Sequence, residues 1–218
     1  MKKQIIIWDW NGTLLNDLHL CVDIANEIAL PHGGTRMSVS RYKEVFGFPV
    51  TDYYTRIGVD FRRESLDALA KRFTGSYYGR VRNCNLHDRT RETLQFFNTN
   101  GVRQYILTAA RRDEVVDLLS HFSIENHFTA VAGLDNHRAE SKVEAGRQLF
   151  TENNIPRETT VLIGDTVHDY EVAKALGIDC ILIANGHQSK ERLVQKVTPG
   201  TAVINSLTEL PGLFSFDR

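Results

Sequence analysis

The chain opens on an apolar run, Ile5-Ile6-Ile7-Trp8, that stops at Asp9, and a turn signal, Asn11-Gly12, follows two residues later. A run this short and this rich in β-branched residues predicts a strand buried on both faces, as in a parallel sheet. The period then changes from strand to helix. Leu18, Cys21, Val22, Ala25, Ile28 and Ala29 recur at helical spacing, Asn16 or Asp17 is placed to cap that helix, and Pro31-His32-Gly33-Gly34 ends it. Ser38 starts a short helix that reaches Phe46, and Gly47-Phe48-Pro49 turns the chain into another over 51–57. Leu66, Leu69, Ala70, Phe73 and Tyr77 mark a further amphipathic face. Residues 16–84 therefore read as a small helical bundle with no strand in it.

Beyond that bundle the pattern alternates. A helix over 88–100, with Thr90, Leu94 and Phe97 inward, is closed by Asn100-Gly101. Strands over 104–108, 129–132, 160–163 and 180–183 then alternate with helices over 113–122, 142–153 and 169–176. Such alternation predicts right-handed crossovers and an α/β fold with helices on both faces of a parallel sheet. Residues 200–218 suggest a short strand and a final turn or helix.

Composition narrows the class of partner. The chain has 218 residues, enough for one α/β domain with an insertion. Its 26 Lys and Arg balance 27 Asp and Glu, so no basic field points to nucleic acid or an anionic membrane. Cys21, Cys84 and Cys180 are odd in number and lack CxxC spacing, which suggests neither a disulfide framework nor a zinc site and fits a reducing cytoplasm. Met1-Lys2-Lys3 resembles the start of a signal peptide, but Asp9 breaks the apolar run before it reaches the length required. No stretch approaches a membrane span.

Candidate chemistry sits at the strand ends. Asp9 ends the first strand, Thr108 ends the second, Ser141-Lys142 opens a helix, and Asp165 and Asp169 follow the third strand four residues apart. Open α/β sheets bind ligands at the carboxyl ends of their strands. Carboxylates converging there repel one another unless a cation is present, which favours a metal. Each residue also has an ordinary reading: Asp9 as a turn cap, Lys142 as a solvated side chain, and the two later Asp residues as acids at a helix N-terminus.

Asp, Thr, Lys and a pair of Asp residues, in that order and at those strand ends, resemble the four motifs of the haloacid dehalogenase superfamily. The resemblance runs from Asp9 to Asp169. It implies a Rossmann-like core of residues 1–15 and 85–218, with residues 16–84 as an all-helical cap domain. It further implies a cytoplasmic Mg²⁺-dependent phosphohydrolase, a monomer or homodimer, acting on small phosphorylated metabolites and most similar to phosphoglycolate phosphatases. Asp9 would attack phosphorus and carry the phosphoryl group as an aspartyl-phosphate. Asp9, the main-chain carbonyl of Asn11, and Asp165 would hold the Mg²⁺, with Asp169 supporting a metal-bound water or Lys142. Thr108 and the amide of Ala109 would hydrogen-bond the phosphoryl group, and Lys142 would neutralise it.

Two residues depart from that pattern. Val143 follows Lys142 where Pro is common, and Asn11 stands where the phosphatases usually carry an Asp that protonates the leaving oxygen. General acid–base help is worth roughly 10²–10⁴-fold, and an amide transfers no proton. Asn11 still offers its carbonyl to the metal and a hydrogen bond to the leaving group. Its presence leaves open a slow enzyme, a substrate with a good leaving group, a reaction that needs no proton there, or an engineered Asp→Asn change. Two alternatives to the phosphatase therefore stand: a phosphonatase-like carbon–phosphorus hydrolase, and a weakly active or non-catalytic phosphate-binding protein. The phosphonatase would need a neutral imine-forming lysine in the cap, where Lys43 is better placed than the solvated Lys71. Phe46 and Phe48 could form a specificity loop or pack internally, and Arg89, Arg111, Arg112 and His187 are candidate substrate contacts. His168 reads as solvent-facing and without a role.

Overall fold

The structure, a computed structural model, describes residues 2–134 and 141–216. The chain forms β1 (Ile5–Trp8), β2 (Leu15–Asn16) and four helices, α1 (Leu18–Ala29), α2 (Val39–Val45), α3 (Val50–Arg56) and α4 (Leu66–Tyr78). It continues with β3 (Asn85–Leu86), α5 (Thr90–Thr99), β4 (Arg103–Arg111), α6 (Arg112–His121), β5 (Ala130–Leu134) and α7 (Lys142–Asn153). β6 (Thr160–Gly164), α8 (Val167–Leu176), β7 (Asp179–Ile183), α9 (Lys190–Lys196), β8 (Ala202–Ile204) and a 3₁₀ segment (Leu207–Leu213) complete it.

Six strands make one parallel sheet in the order β5-β4-β1-β6-β7-β8. The first strand is central, flanked by β4 and β6, so the order reverses beside it and leaves a crevice at its carboxyl end. Side chains of β1 alternate between two cores. Ile6 and Trp8 pack with Leu94, Phe97, Val115 and Leu118 from α5 and α6 on one face. Ile5 and Ile7 pack with Leu149, Phe150, Val172 and Leu176 from α7 and α8 on the other. All four β1 residues are fully buried, and burying such a side chain contributes about 1.5–3 kcal/mol. Burial on both faces explains why the run is apolar without alternation. Trp8 still satisfies its indole N–H, which donates to Gln104 Oε1 at 2.9 Å across the neighbouring strand.

The helices α1 to α4 lie between β2 and β3, and their buried faces belong to the same hydrophobic cluster as one face of the sheet. The expectation of no strand in residues 16–84 needs one correction. Asn16 pairs with Asn85, and Leu15 with Leu86, in a two-stranded antiparallel ribbon at the two ends of the helical insertion. A two-residue strand carries no readable period, so the pattern of apolar positions could not reveal it.

Other boundaries also differ from the expectation. β4 runs past Thr108 to Arg111, and α8 begins two residues before Asp169. Helix α9 was not anticipated, because its sequence is almost wholly polar and only Leu193 is buried. The last expected residues of the tail, Asp217 and Arg218, lie outside the described residues. Among the described residues, no helix is long and apolar enough to cross a membrane.

Candidate active site

The ends of β1, β4 and β6 lie side by side because the strands pair in register, with Trp8 opposite both Ile106 and Ile163. One residue further on, the Asp9 amide still donates to the Ile163 carbonyl at 2.8 Å. Asp9, Asn11, Thr108, Ala109, Lys142, Asp165 and Asp169 all border a single cavity of about 700 Å³ between this sheet end and the helical insertion. These seven sequence-predicted residues are thus brought together.

Lys142 is buried at the start of α7, and its Nζ donates to Asp9 Oδ1 at 2.5 Å and to Asp169 Oδ1 at 2.6 Å. The solvated reading of Lys142 is therefore wrong. Burial alone would discharge the ammonium, but the two carboxylates outweigh that cost and hold its pKa above the usual value. Asp169 serves two ends at once. Its other oxygen accepts from the Thr166 amide at 3.0 Å and the Thr166 hydroxyl at 2.6 Å, closing a capping box at the start of α8. The helix N-terminus thus fixes the carboxylate that in turn fixes the lysine.

Asp9 and Asp165 share the hydroxyl of buried Thr13, at 3.3 and 3.1 Å. Gly12 makes this approach possible. Its φ is +73°, and a side chain there would lie 2.4 Å from both Asp165 Oδ2 and the His187 ring. Burial, with Asp169 and Asp165 nearby, pushes Asp9 up to about 7 even though Lys142 opposes the rise. Burial likewise lifts Asp165 to about 6. Ligand oxygens of Asp9, Asp165 and Asp169 all lie within 4.8 Å of one another. Three buried carboxylates gather here and only two of them touch the Lys142 ammonium, so an all-oxygen donor set with residual negative charge fits a hard divalent cation.

Asn11 faces away from this cluster. Its Nδ2 donates to Asp17 Oδ2 at 2.9 Å and to the Tyr77 hydroxyl, which lies at 2.5 Å. Asp17 occupies the N-cap position of α1 but makes no side-chain cap bond, which corrects its reading as a cap. Instead its carboxylate accepts from the Gly12 amide at 3.0 Å, from Tyr77 at 2.7 Å and from His187 Nε2 at 3.1 Å. His187 sits on the loop after β7. Its amide donates to Asp165 Oδ2 at 2.6 Å, and its Nδ1 lies 3.2 Å from the Tyr42 hydroxyl. Burial would neutralise both partners. The ion pair overrides it, holding Asp17 down at about 2 and His187 up at about 9, with Asp165 and Asp9 also favouring the imidazolium. Asp17, Cys21 and His187 also cluster closely enough to ligate a metal, but Asp17 and His187 already satisfy one another.

This network ties helices α2 and α4 to the sheet, and sequence reasoning missed most of it. Asp17 and His187 are 170 residues apart, and Tyr42 and Tyr77 fall on faces that read as apolar packing. The same loop and the helix after it reinforce the join: Gln188 Nε2 donates to the Phe46 carbonyl at 3.1 Å, and Arg192 of α9 donates to the carbonyls of Glu44 and Phe46. Phe46 and Phe48 line the cavity and also pack on one another, with ring centroids 5.9 Å apart. His168 does not simply face solvent, because its ring centroid lies 4.6 Å from that of Phe48. Arg111 borders the cavity and pairs with Asp113. Arg89 pairs with Glu92 on the surface, and Arg112 donates to the Val131 carbonyl.

A doubly wound α/β sheet with a buried carboxylate–lysine centre at its switch point defines an enzyme-type site for an anionic ligand and a cation. The chain belongs to the haloacid dehalogenase-like hydrolase family, whose sequence pattern matches residues 6–183. Among its relatives, the tyrosine-protein kinase PtkA of Mycobacterium tuberculosis is 27% identical, over 97% of this chain and 74% of that protein. The PtkA structure superposes with a TM-score of 0.80 at 23% identity, covering 97% of this chain and 98% of the other. A 5'-nucleotidase of Pseudomonas aeruginosa is 28% identical over 88% of each chain. A phosphoglycolate phosphatase of Pseudomonas syringae is 24% identical, over 98% of this chain and 81% of its own.

Proposed function

We propose that the chain hydrolyses phosphate monoesters, with Asp9 as nucleophile and residues 16–84 as a cap over a core of residues 1–15 and 85–218. The observation that carries this reading is the setting of Asp9: buried at the end of the central strand, bound to Lys142 at 2.5 Å, and open to the cavity. The family is one of hydrolases, and the three relatives bear the names of enzymes that act on phosphoryl groups.

Asp9, the Asn11 carbonyl and Asp165 would hold the Mg²⁺, with Asp169 in support. When bound, the ion screens the carboxylates from the phosphoryl oxygens and makes attack by one anion on another feasible. The chain's own groups do the rest. Lys142 neutralises charge on the transferring group and steers the Asp9 carboxylate. The Thr108 hydroxyl accepts from the Ala110 amide at 3.0 Å, which leaves its own proton free for a phosphoryl oxygen, beside the amide of Ala109. Asp9 displaces the ester oxygen and becomes an aspartyl-phosphate, which water hydrolyses to release phosphate. Asn11 gives the departing oxygen no proton, because its amide hydrogens are taken by Asp17 and Tyr77.

The cleavage of a carbon–phosphorus bond is a second reading. Lys43 in α2 is half-buried, and burial lowers its pKa, as an imine-forming lysine requires. It is not among the residues that line the cavity, which favours the ester reading. A phosphate-release screen over metabolite esters, with and without Mg²⁺ and with Asp9→Asn as control, tests the proposal. Mg²⁺-dependent release lost in the variant is expected, and release that survives Asp9→Asn contradicts it.

A further inference from the structure

The cavity over Asp9 has a chemistry of its own. Among the described residues, eight Phe and Tyr side chains border it, all from the helical insertion. Phe46, Phe48 and Tyr53 form an edge-to-face cluster, with centroids 5.9 Å apart for Phe46–Phe48 and 5.2 Å for Phe46–Tyr53. Phe73 stacks on Tyr77 at 5.6 Å and 13° within α4. Phe48 is a large apolar residue left 46% exposed beside this space. The lysine and arginine that border the cavity, Lys142 and Arg111, belong to the sheet side, and among the described residues the charged residues of the insertion there are Asp67 and Asp17, the latter paired with His187. A leaving group with its own carboxylate, such as glycolate, would meet aromatic rings and an acid on this wall. A leaving group of two carbons would also fill little of a space of about 700 Å³, whereas ligand sites usually cover most of their ligand.

Asn11 supplies a second, independent observation. Its amide is held by Asp17 and Tyr77, and it has no proton to give. Alkoxides are poor leaving groups without a proton, while a phenolate leaves as a stabilised anion. We propose that this enzyme acts on aromatic phosphate monoesters, whose ring lies against the insertion's aromatic wall and whose oxygen departs as a phenolate. The inference rests on the phosphate-ester reading above. An Asp9 carboxylate oxygen forms a bond to phosphorus as the phosphorus–aryl oxygen bond breaks. The bonding pair stays on the aryl oxygen, which later takes a proton from solvent. Water then attacks phosphorus, the Asp9–phosphorus bond breaks, a proton goes to solvent, and inorganic phosphate and the Asp9 carboxylate are released. Rings and planar groups suit such a wall because offset and edge-to-face contacts add to the area buried.

The test uses the full chain with Mg²⁺ and four substrates: phenyl phosphate, benzyl phosphate, phosphoglycolate and acetyl phosphate. Benzyl phosphate carries the ring but an alkoxide leaving group, and acetyl phosphate carries a good leaving group but no ring. Phenyl phosphate is expected to exceed phosphoglycolate and benzyl phosphate in kcat/KM by about 10²-fold, the usual worth of the missing acid. Phe48→Ala and Phe73→Ala should each lower the ratio of phenyl to acetyl phosphate kcat/KM by roughly tenfold, as expected for losing an aromatic contact. Two variants in separate segments of the insertion guard against misfolding of either. Phosphoglycolate or benzyl phosphate turned over as well as phenyl phosphate would overturn this inference while leaving the phosphatase reading intact. Failure to release phosphate from any of the four substrates would overturn the phosphatase reading itself.

Discussion

Replacing His187 by Gln removes the cationic half of the buried pair with Asp17 and leaves a side chain that still hydrogen-bonds. The magnitude follows from the two pKa values. His187 rises from 6.5 to about 9 on folding, which corresponds to about 3 kcal/mol of stability. Because the folded value is the higher, that stability is fully present below pH 6.5 and is lost as pH rises through about 9. Asp17 acts at the opposite end: its value falls from 3.8 to about 2, so its share is present above 3.8 and lost as pH falls through about 2. Between pH 6.5 and 9 His187 therefore holds a proton in the folded wild type that it has lost in the unfolded chain. Its unfolding free energy should fall with a slope steeper by about 1.4 kcal/mol per pH unit than that of His187→Gln. Urea unfolding followed by circular dichroism across this range, in the presence of a chelator, measures both slopes. Parallel lines for the two proteins would refute the claim that His187 is an imidazolium in the folded state.

Three other outcomes are expected. Asn11→Asp places a carboxyl 2.9 Å from Asp17, where the two must share a proton, a setting that suits a general acid. It should accelerate hydrolysis of alkyl phosphates by ~10²–10⁴-fold and of aryl or acyl phosphates by less, and equal gains in a steady-state comparison would contradict the role given to position 11. Asp165→Ala should raise the Mg²⁺ needed for half-maximal activity by at least ~10-fold, read from a metal titration of phosphate release, and an unchanged titration would remove Asp165 from the metal site. Lys43→Ala should leave ester hydrolysis within about threefold of wild type, with no borohydride-trapped adduct on phosphonoacetaldehyde in either protein. A trapped imine at Lys43 would favour the carbon–phosphorus reading.

The parts of the site that were legible in the sequence are those in which a local pattern stops at a polar residue. An apolar run ending at Asp9, another ending at Gly164-Asp165, and a helix opening at Lys142 each announce themselves within a few residues. Parallel pairing then does the assembly, since strands buried on both faces have their ends aligned by register. The Asp17–His187 pair was not legible because neither residue breaks its local pattern. Asp17 stands where a helix cap belongs, and His187 lies in a polar loop, so only the folded chain brings Nε2 to within 3.1 Å of the carboxylate. The aromatic wall was half-legible. Phe73 and Tyr77 mark the inward face of α4 by their spacing, but periodicity does not distinguish a face that packs from one that borders a cavity.

The claim on which the account turns is that Asp9 carries the phosphoryl group. Acid-quenching the enzyme during turnover of phenyl phosphate with Mg²⁺, followed by borohydride reduction and peptide mass spectrometry, tests it directly. The account predicts homoserine at position 9, from reduction of the acyl phosphate, and none in enzyme quenched without substrate. Continued turnover with Asp9 unmodified would contradict it.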